Sequence, residues 1–250
     1  LVQPDELLPL DKWAVTRLNS LIEKVFAAYD NYEFHVVSHM INDFCVVDLS
    51  SFYFDIIKDR LYCGEENGLE RRSAQTAVWM ILDAMTRMFA PILAFTCDEV
   101  WLAMPHRAAD DARNVLFNEM VQPYAAYALS QEEMGRWARI AALRTAVNGA
   151  LEQARADKTI GKSLEAEVDL TVTAEDAFLT EMDADALADT LIVSQVRVDV
   201  GAAQAVAVRP ASGAKCLRCW KVLPTVGSDA QHPDLCPRCA AVVKKLPVVE

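Results

Sequence analysis

Two Cys-x-x-Cys pairs near the C-terminus constrain this chain more than any other feature. Cys216 with Cys219 and Cys236 with Cys239 form the pairs, and sixteen residues separate them. This spacing is typical of a four-thiolate zinc site, because each pair forms a tight turn that directs two sulfurs to one point. Four thiolates complete a tetrahedron and leave no position for water or substrate. The sequence therefore predicts one structural zinc ion.

A pair of disulfides is the alternative interpretation of these four cysteines. The chain has no signal-peptide pattern and no apolar run of membrane-spanning length, so a reducing cytoplasm is expected and zinc is favoured. The other three cysteines, Cys45, Cys63 and Cys97, fall in helical patterns and are expected to be small buried residues. His232 is left out of the ligand set, because four cysteines already complete it.

Charge is unevenly distributed along the 250 residues, which carry a net charge of −12. Residues 212–250 hold six basic and three acidic side chains, whereas residues 163–208 hold ten acidic and one basic. The overall balance argues against an indiscriminate nucleic-acid binder, and the basic end favours selective contact with an anion. The alternative is that these cations keep a very small domain soluble. The acidic region is not expected to face phosphate.

Apolar residues recur at helical spacing through most of residues 1–127. Asp11 is expected to cap the first helix, and Asn31 to open a much longer one that ends before Gly64. A third helix follows, and Pro91 is expected to restart the pattern as the first residue of a fourth. Bulky apolar faces on all of these helices predict one shared core and hence a helical bundle.

The second half of the chain changes period. Ser130 followed by Glu133 is typical of a capping box and predicts a fifth helix that ends near Lys158. From Leu164 to Val172, apolar residues alternate with Glu165, Glu167, Asp169 and Thr171, which indicates a half-buried strand. A short helix near 178–187 and strands over 191–200 and 205–208 complete a small α+β unit. The predicted fold is thus mainly α, with domains at 1–127 (bundle), 128–210 (helix and α+β unit) and 211–250 (zinc ribbon).

No catalytic centre can be identified. The chain has no Gly-rich phosphate loop and no Gly-x-Ser-x-Gly elbow. His35 and His39 are four residues apart on a predicted helix, but no His-Glu-x-x-His pattern accompanies them. Gly161-Lys162-Ser163 is similar to the end of a P-loop, but the upstream glycine is missing, so Lys162 is given no role.

A set of longer motifs extends along nearly the whole chain: Asn31-Tyr32-Glu33-Phe34-His35, Asn42-Asp43-Phe44-Cys45-Val46-Val47-Asp48-Leu49-Ser50, Asp55-Ile56-Ile57-Lys58-Asp59-Arg60-Leu61-Tyr62, Arg71-Arg72-Ser73-Ala74-Gln75-Thr76, Ala90-Pro91-Ile92-Leu93 and Ile160-Gly161-Lys162-Ser163-Leu164-Glu165-Ala166. Together these motifs resemble the anticodon-binding helical domain of bacterial isoleucyl-tRNA synthetases, which are class I enzymes. Cys216-Leu217-Arg218-Cys219-Trp220 and the second cysteine pair resemble the C-terminal zinc domain of that family. The family's ATP-binding signatures, His-Ile-Gly-His and Lys-Met-Ser-Lys-Ser, are absent.

The resemblance implies the C-terminal portion of an isoleucine–tRNA ligase, which attaches isoleucine to its tRNA with ATP. ATP would act only in a catalytic portion outside this segment, which alone is expected to be inactive. The expected partners are the isoleucine-accepting tRNA and the catalytic portion of the same enzyme, and a monomer in the cytoplasm without membrane contact is expected. The alternative is a free-standing scaffold of bundle and zinc ribbon that binds protein or RNA.

Four residues are expected to face the anticodon stem-loop: Lys58, Arg60, Arg218 and Trp220. Trp220 would stack on an unpaired base and Arg218 would contact base or phosphate, because single-stranded bases stack on aromatic rings and guanidinium planes. Lys58 and Arg60 would hold the phosphate backbone. For Trp220 the alternative is a hydrophobic plug over the zinc site.

Overall fold

The computed structural model describes residues 1–246 and is mainly helical, as predicted. It divides into two compact units, Leu1–Leu61 with Glu66–Gln131, and Tyr62–Glu65 with Glu132–Glu250. The three-domain division stays a prediction, and the last four residues of the predicted zinc domain, 247–250, lie outside the described residues. In the described part of the chain, no helix is both long and apolar enough to cross a membrane.

The first unit is a bundle of helices with buried apolar faces, and Trp101 lies with Cys97 and Met104 in a hydrophobic cluster of its own. Its helices are α1 (Pro9–Asp30), α2 (Phe34–Asp43), α3 (Phe54–Cys63), α4 (Leu69–Phe89) and α5 (Ala94–Ala103). α1 packs against α2 and α4, and α4 packs against α5. The largest fully buried side chains of this unit are Leu18, Ile22, Ile41, Tyr53, Ile57, Met88 and Trp101. Burial of these apolar faces is the main stabilising contribution to the bundle.

A π-helical segment, Phe44–Tyr53, joins α2 to α3, so the predicted long helix is continuous but not uniform. The buried residues Phe44 and Leu49 are five positions apart, a spacing that fits the wider π turn better than the α-helical turn of 3.6 residues. The helical run begins at Phe34, not at Asn31. Tyr32 adopts a left-handed backbone with φ of 61°, which ends the preceding helix first.

Asp11 does not cap α1, and that prediction is wrong. The helix begins at Pro9 with Leu8 as its N-cap residue, and Asp11 lies fully buried in the first turn. Three donors converge on its carboxylate: Tyr53 Oη at 2.7 Å, Arg60 Nη1 at 3.1 Å and Ser73 Oγ at 2.5 Å. Burial raises the pKa of Asp11, while Arg60, Ser73 and Tyr53 lower it. An acidic residue at the start of an apolar pattern fits either a cap or such a buried counter-ion.

Pro91 does not start a helix either. α5 begins at Ala94, and Leu93 is its N-cap residue. The connection that follows contains only two short 3₁₀ turns, Val115–Phe117 and Ala125–Tyr127, in agreement with the loss of periodicity there.

The second unit contains a long helix and a three-stranded sheet. Its elements are α6 (Gln131–Ala156), β1 (Ala166–Val172), α7 (Ala184–Leu191), β2 (Gln195–Val200) and β3 (Ala205–Pro210), with a 3₁₀ segment at Ala174–Glu181 before α7. β1 is the central strand, parallel to β2 and antiparallel to β3. β2 begins at Gln195, not at Leu191 as predicted, because Leu191 ends α7 and Ile192 turns the chain with φ of 57°.

β1 begins at Ala166, not at Leu164 as predicted, because Leu164 lies in a 3₁₀ turn, Ser163–Glu165. From Ala166 onward the alternating pattern is confirmed on its apolar face. Ala166, Val168, Leu170 and Val172 are each at most 1% exposed. Glu167 is the exception on the other face, since it is only 4% exposed. Its carboxylate is held by Arg209 at 2.9 Å and by Arg197 at 3.1 Å, so the charge is compensated where it is buried.

Candidate metal centre and RNA-facing surface

The two cysteine pairs lie on a short hairpin and at the start of a helix. β4 (Ala214–Lys215) leads into Cys216 and pairs with β5 (Val222–Leu223), while Cys236 is the N-cap residue of α8 (Pro237–Val243). Gly213 has φ of 111°, and a Cβ there would lie 2.2 Å from the backbone of Leu223. Only glycine therefore fits at the entrance to this hairpin.

Hydrogen bonds fix the first cysteine turn and tie it to the second. The Cys216 amide donates to the Lys221 carbonyl at 2.9 Å, and the Trp220 amide donates to the Cys216 carbonyl at 2.9 Å. The Leu217 amide donates to the Asp234 carbonyl at 3.1 Å, which links this turn to the segment before Cys236. The two turns thus face each other through main-chain contacts.

The four predicted ligands meet at one point. Their sulfur atoms all lie within 4.8 Å of one another, and all four residues are buried. Cys219 Sγ and Cys236 Sγ are 3.9 Å apart, which is too far for a disulfide and close to the separation of about 3.8 Å that a tetrahedral site with Zn–S bonds of about 2.3 Å requires. None of the seven cysteines, all of which lie within residues 1–246, forms a disulfide, and His232 does not belong to the cluster. This donor set fits zinc.

Two donors point at the sulfurs of this cluster. The Cys236 amide donates to Cys216 Sγ at 3.3 Å, and Arg218 Nη1 lies 3.9 Å from Cys239 Sγ. A hydrogen bond from Cys239 lowers the pKa of Cys219 to about 4, whereas burial raises the pKa of Cys236. Such contacts orient metal ligands and compensate the charge of a four-thiolate site.

Arg218, predicted to contact RNA, is partly engaged inside the second unit. Its Nη1 donates to the Cys63 carbonyl at 2.5 Å, and the Cys63 thiol lies 3.5 Å from the Arg218 carbonyl. Cys63 also packs in the same buried cluster as the four zinc-site cysteines. No local sequence pattern reveals this contact, since the two residues are 155 positions apart.

Trp220 is exposed, with 59% of its surface accessible, and its backbone is left-handed with φ of 66°. This exposure contradicts the alternative of a plug over the zinc site. A left-handed backbone costs a bulky residue roughly 1–2 kcal/mol. It is imposed here because the Trp220 amide must reach back to the Cys216 carbonyl. The Lys162 ammonium lies 5.9 Å from the centroid of the ring.

Lys58 and Arg60 belong to α3 in the first unit. The Lys58 ammonium is exposed and pairs with Asp55 at 3.0 Å, three residues earlier on the same helix. Arg60 is largely covered, with 15% of its side chain accessible, because it pairs with the buried Asp11. The sequence does not reveal which aspartate each cation pairs with. Only the structure shows that Lys58 faces solvent while Arg60 compensates the charge of the buried Asp11 carboxylate.

Comparison with known proteins identifies both parts of the chain. Residues 11–170 match the family described as the anticodon-binding domain of tRNA ligase, and residues 213–242 match the zinc finger found in FPG and IleRS. Isoleucine–tRNA ligases from Geobacter sulfurreducens and Desulforamulus reducens are 43% and 44% identical over 98% and 96% of this chain, respectively. The chain spans about a quarter (27%) of the length of each of these relatives. The first match covers more than half of the chain, which therefore belongs to the family of tRNA-ligase anticodon-binding domains, as the resemblance predicted.

Proposed function

We propose that this chain is the tRNA-binding portion of an isoleucine–tRNA ligase and that it holds the anticodon stem-loop of the isoleucine-accepting tRNA. The names of its relatives and the two family matches support this assignment. Activation of isoleucine with ATP would take place in a catalytic portion, and the segment alone would lack that activity. The enzyme would act as a monomer in the cytoplasm.

One zinc ion would be held by Cys216, Cys219, Cys236 and Cys239. The metal would supply cross-linking and folding energy, since a four-thiolate site leaves no open coordination position. The ribbon around it is small, with two two-residue strands and one helix of seven residues. An element set of this size buries too little apolar surface to fold without such a cross-link.

Trp220 is the observation that carries the RNA assignment. Its ring is exposed and its left-handed backbone is unfavourable for a tryptophan, so nothing in the fold of the ribbon itself accounts for a large aromatic residue at this position. Strained residues of this kind concentrate at binding sites, where the ligand interaction offsets the strain. An unpaired anticodon base stacked on the indole would do so by about 1–3 kcal/mol.

The three cations are proposed to support this contact in different ways. Lys58 has an exposed ammonium and would bind backbone phosphate. Arg60 and Arg218 are each anchored through one nitrogen, to Asp11 and to the Cys63 carbonyl. A guanidinium has five N–H donors, so each arginine retains donors that would reach RNA from a fixed position.

The experiment is a binding titration of Trp220→Ala with isoleucine tRNA and with a tRNA of different anticodon, at two salt concentrations. We expect Trp220→Ala to lower affinity for isoleucine tRNA about 5- to 150-fold, which corresponds to about 1–3 kcal/mol. Leu217→Ala is the matched control, because Leu217 is exposed in the same turn and carries no ring. Unchanged affinity of Trp220→Ala, with zinc content equal to that of the wild type, would refute the assignment.

A further inference from the structure

Lys162 stands out among the cations of the second unit because its ammonium makes no ion pair with any residue in the range 1–246 and also lies above an aromatic ring, that of Trp220. Most of the other cations of this unit pair with carboxylates: Arg136, Arg139, Arg155, Arg197, Arg209, Lys221, Lys244 and Lys245. Lys162 is exposed, and its ammonium lies above the exposed ring of Trp220. A cation left unpaired in an acidic region retains its full attraction for an anion.

The nearest acidic side chain in sequence, Glu165, is directed at the main chain. Its carboxylate accepts hydrogen bonds from the amides of Gly161 at 3.0 Å and Lys162 at 3.1 Å. The Glu165 amide in turn donates to the Lys162 carbonyl at 2.9 Å. A Cβ on Gly161 would lie 2.9 Å from the Glu165 carboxylate oxygen, so a larger residue there would displace this carboxylate from the two amides. The loop therefore holds Lys162 in place and also occupies the carboxylate that would otherwise pair with it.

We infer that Lys162 and Trp220 form one nucleotide-binding site, in which the indole stacks on an unpaired base and the Lys162 ammonium contacts a phosphate of the same strand. The Lys162 ammonium lies above one face of the ring, which leaves the opposite face to the base. One nucleotide can contact both groups only if the aromatic ring that stacks on its base and the cation that binds its phosphate lie within a few ångströms of each other. The Lys162 ammonium and the centroid of the Trp220 ring, 5.9 Å apart, meet this condition. This inference rests on the proposed RNA binding and adds to it a residue from outside the ribbon.

The test measures the salt dependence of binding for the 250-residue chain and an anticodon stem-loop RNA of isoleucine tRNA. Loss of one phosphate contact in a single-stranded segment lowers the slope of log K against log salt by about 0.7. We therefore expect Lys162→Gln to bind more weakly at 50 mM salt, and this defect to shrink about 2.6-fold at 200 mM salt. Lys162→Arg should retain the wild-type slope, because it retains the charge.

Lys158→Gln is the matched control, since Lys158 is also exposed, also makes no ion pair within residues 1–246 and lies in the same connection after α6. It should leave both affinity and slope unchanged. If Trp220→Ala weakens binding while Lys162→Gln keeps the wild-type slope, the RNA assignment stands and the composite site is refuted. If Lys158→Gln lowers the slope as much as Lys162→Gln, the effect is one of general charge and the composite site is also refuted. If the wild type does not bind the stem-loop, both proposals fail.

Discussion

Replacement of Arg60 by methionine tests whether burial, more than ion-pair geometry, decides the contribution of an arginine to this bundle. Arg60 pairs with Asp11 at 3.1 Å, and Arg17 pairs with Asp48 at 3.0 Å. The side chains of the first pair are 15% and 0% accessible, whereas those of the second are 43% and 14% accessible. Removing one partner of a buried pair costs about 3–5 kcal/mol, whereas an exposed pair contributes about 0–1 kcal/mol. Tyr53 and Ser73 still donate to Asp11 in the variant, so we expect about 3 kcal/mol for Arg60→Met and under about 1 kcal/mol for Arg17→Met.

The loss should also depend on pH. Burial raises the pKa of Asp11, and Arg60 is the largest opposing influence, so Arg60→Met raises that pKa further. A carboxyl with a raised pKa binds more protons in the folded state than in the unfolded state, and its contribution to stability therefore falls as pH rises through the folded pKa. The difference in unfolding free energy between wild type and Arg60→Met should accordingly be larger at pH 8 than at pH 5.

Urea denaturation of the whole chain measures the difference in unfolding free energy between wild type and Arg60→Met. At each urea concentration, a brief hydrogen-exchange pulse at fixed pH reports on the amides of α1 and α4. These two helices carry Asp11 and Ser73, so the pulse follows the first unit separately from the second. Equal losses for Arg60→Met and Arg17→Met would contradict the argument from burial. A loss for Arg60→Met that is the same at both pH values would contradict the titration of Asp11.

Two further predictions concern the second unit. Metal analysis should find one zinc per chain, and chelation should change the tryptophan fluorescence, to which Trp220 contributes as one of five tryptophans, while most of the helical circular dichroism remains. Protein without zinc would refute the metal assignment. A hydrogen bond from Arg209 lowers the pKa of Glu167 below 4.5, so its ionised form stabilises the fold above that pH and the contribution is lost as pH falls through the lower, folded pKa. The gap in Tm between wild type and Glu167→Gln should therefore be wide at pH 7 and close on acidification below pH 4.5, and a gap independent of pH would exclude this coupling.

Elements with a strong period were predictable from the sequence. α6 begins at Gln131, directly after the predicted cap, and β1 buries four of the five alternating residues expected of it, all but Leu164. The convergence of the four cysteines was predictable because each Cys-x-x-Cys pair is a short local pattern that directs two sulfurs to one side. In each of these cases one periodic or spaced pattern has one structural solution.

Long-range partners were not predictable, because residue type alone does not specify them. Asp11 fits a helix cap in sequence, yet in the structure it neutralises Arg60 forty-nine positions away. Arg218 fits an RNA contact, yet one of its nitrogens binds the Cys63 carbonyl. The incomplete P-loop pattern around Lys162 gives it no role in sequence, and its position above Trp220 depends on a fold that brings residues 162 and 220 together.

The π-helical segment, Phe44–Tyr53, affects which single-residue deletions the bundle would tolerate. Phe44 and Leu49 both face the core across five positions, one more than an α turn needs. Deletion of one residue between them would leave a four-residue spacing, which an ordinary α-helix satisfies with the same two side chains inward. Elsewhere in the bundle, loss of one residue would rotate the rest of a helix by about 100° and turn its apolar face away from the core. Among the helical segments of this bundle, Phe44–Tyr53 is therefore the one in which the loss of one residue should be tolerated.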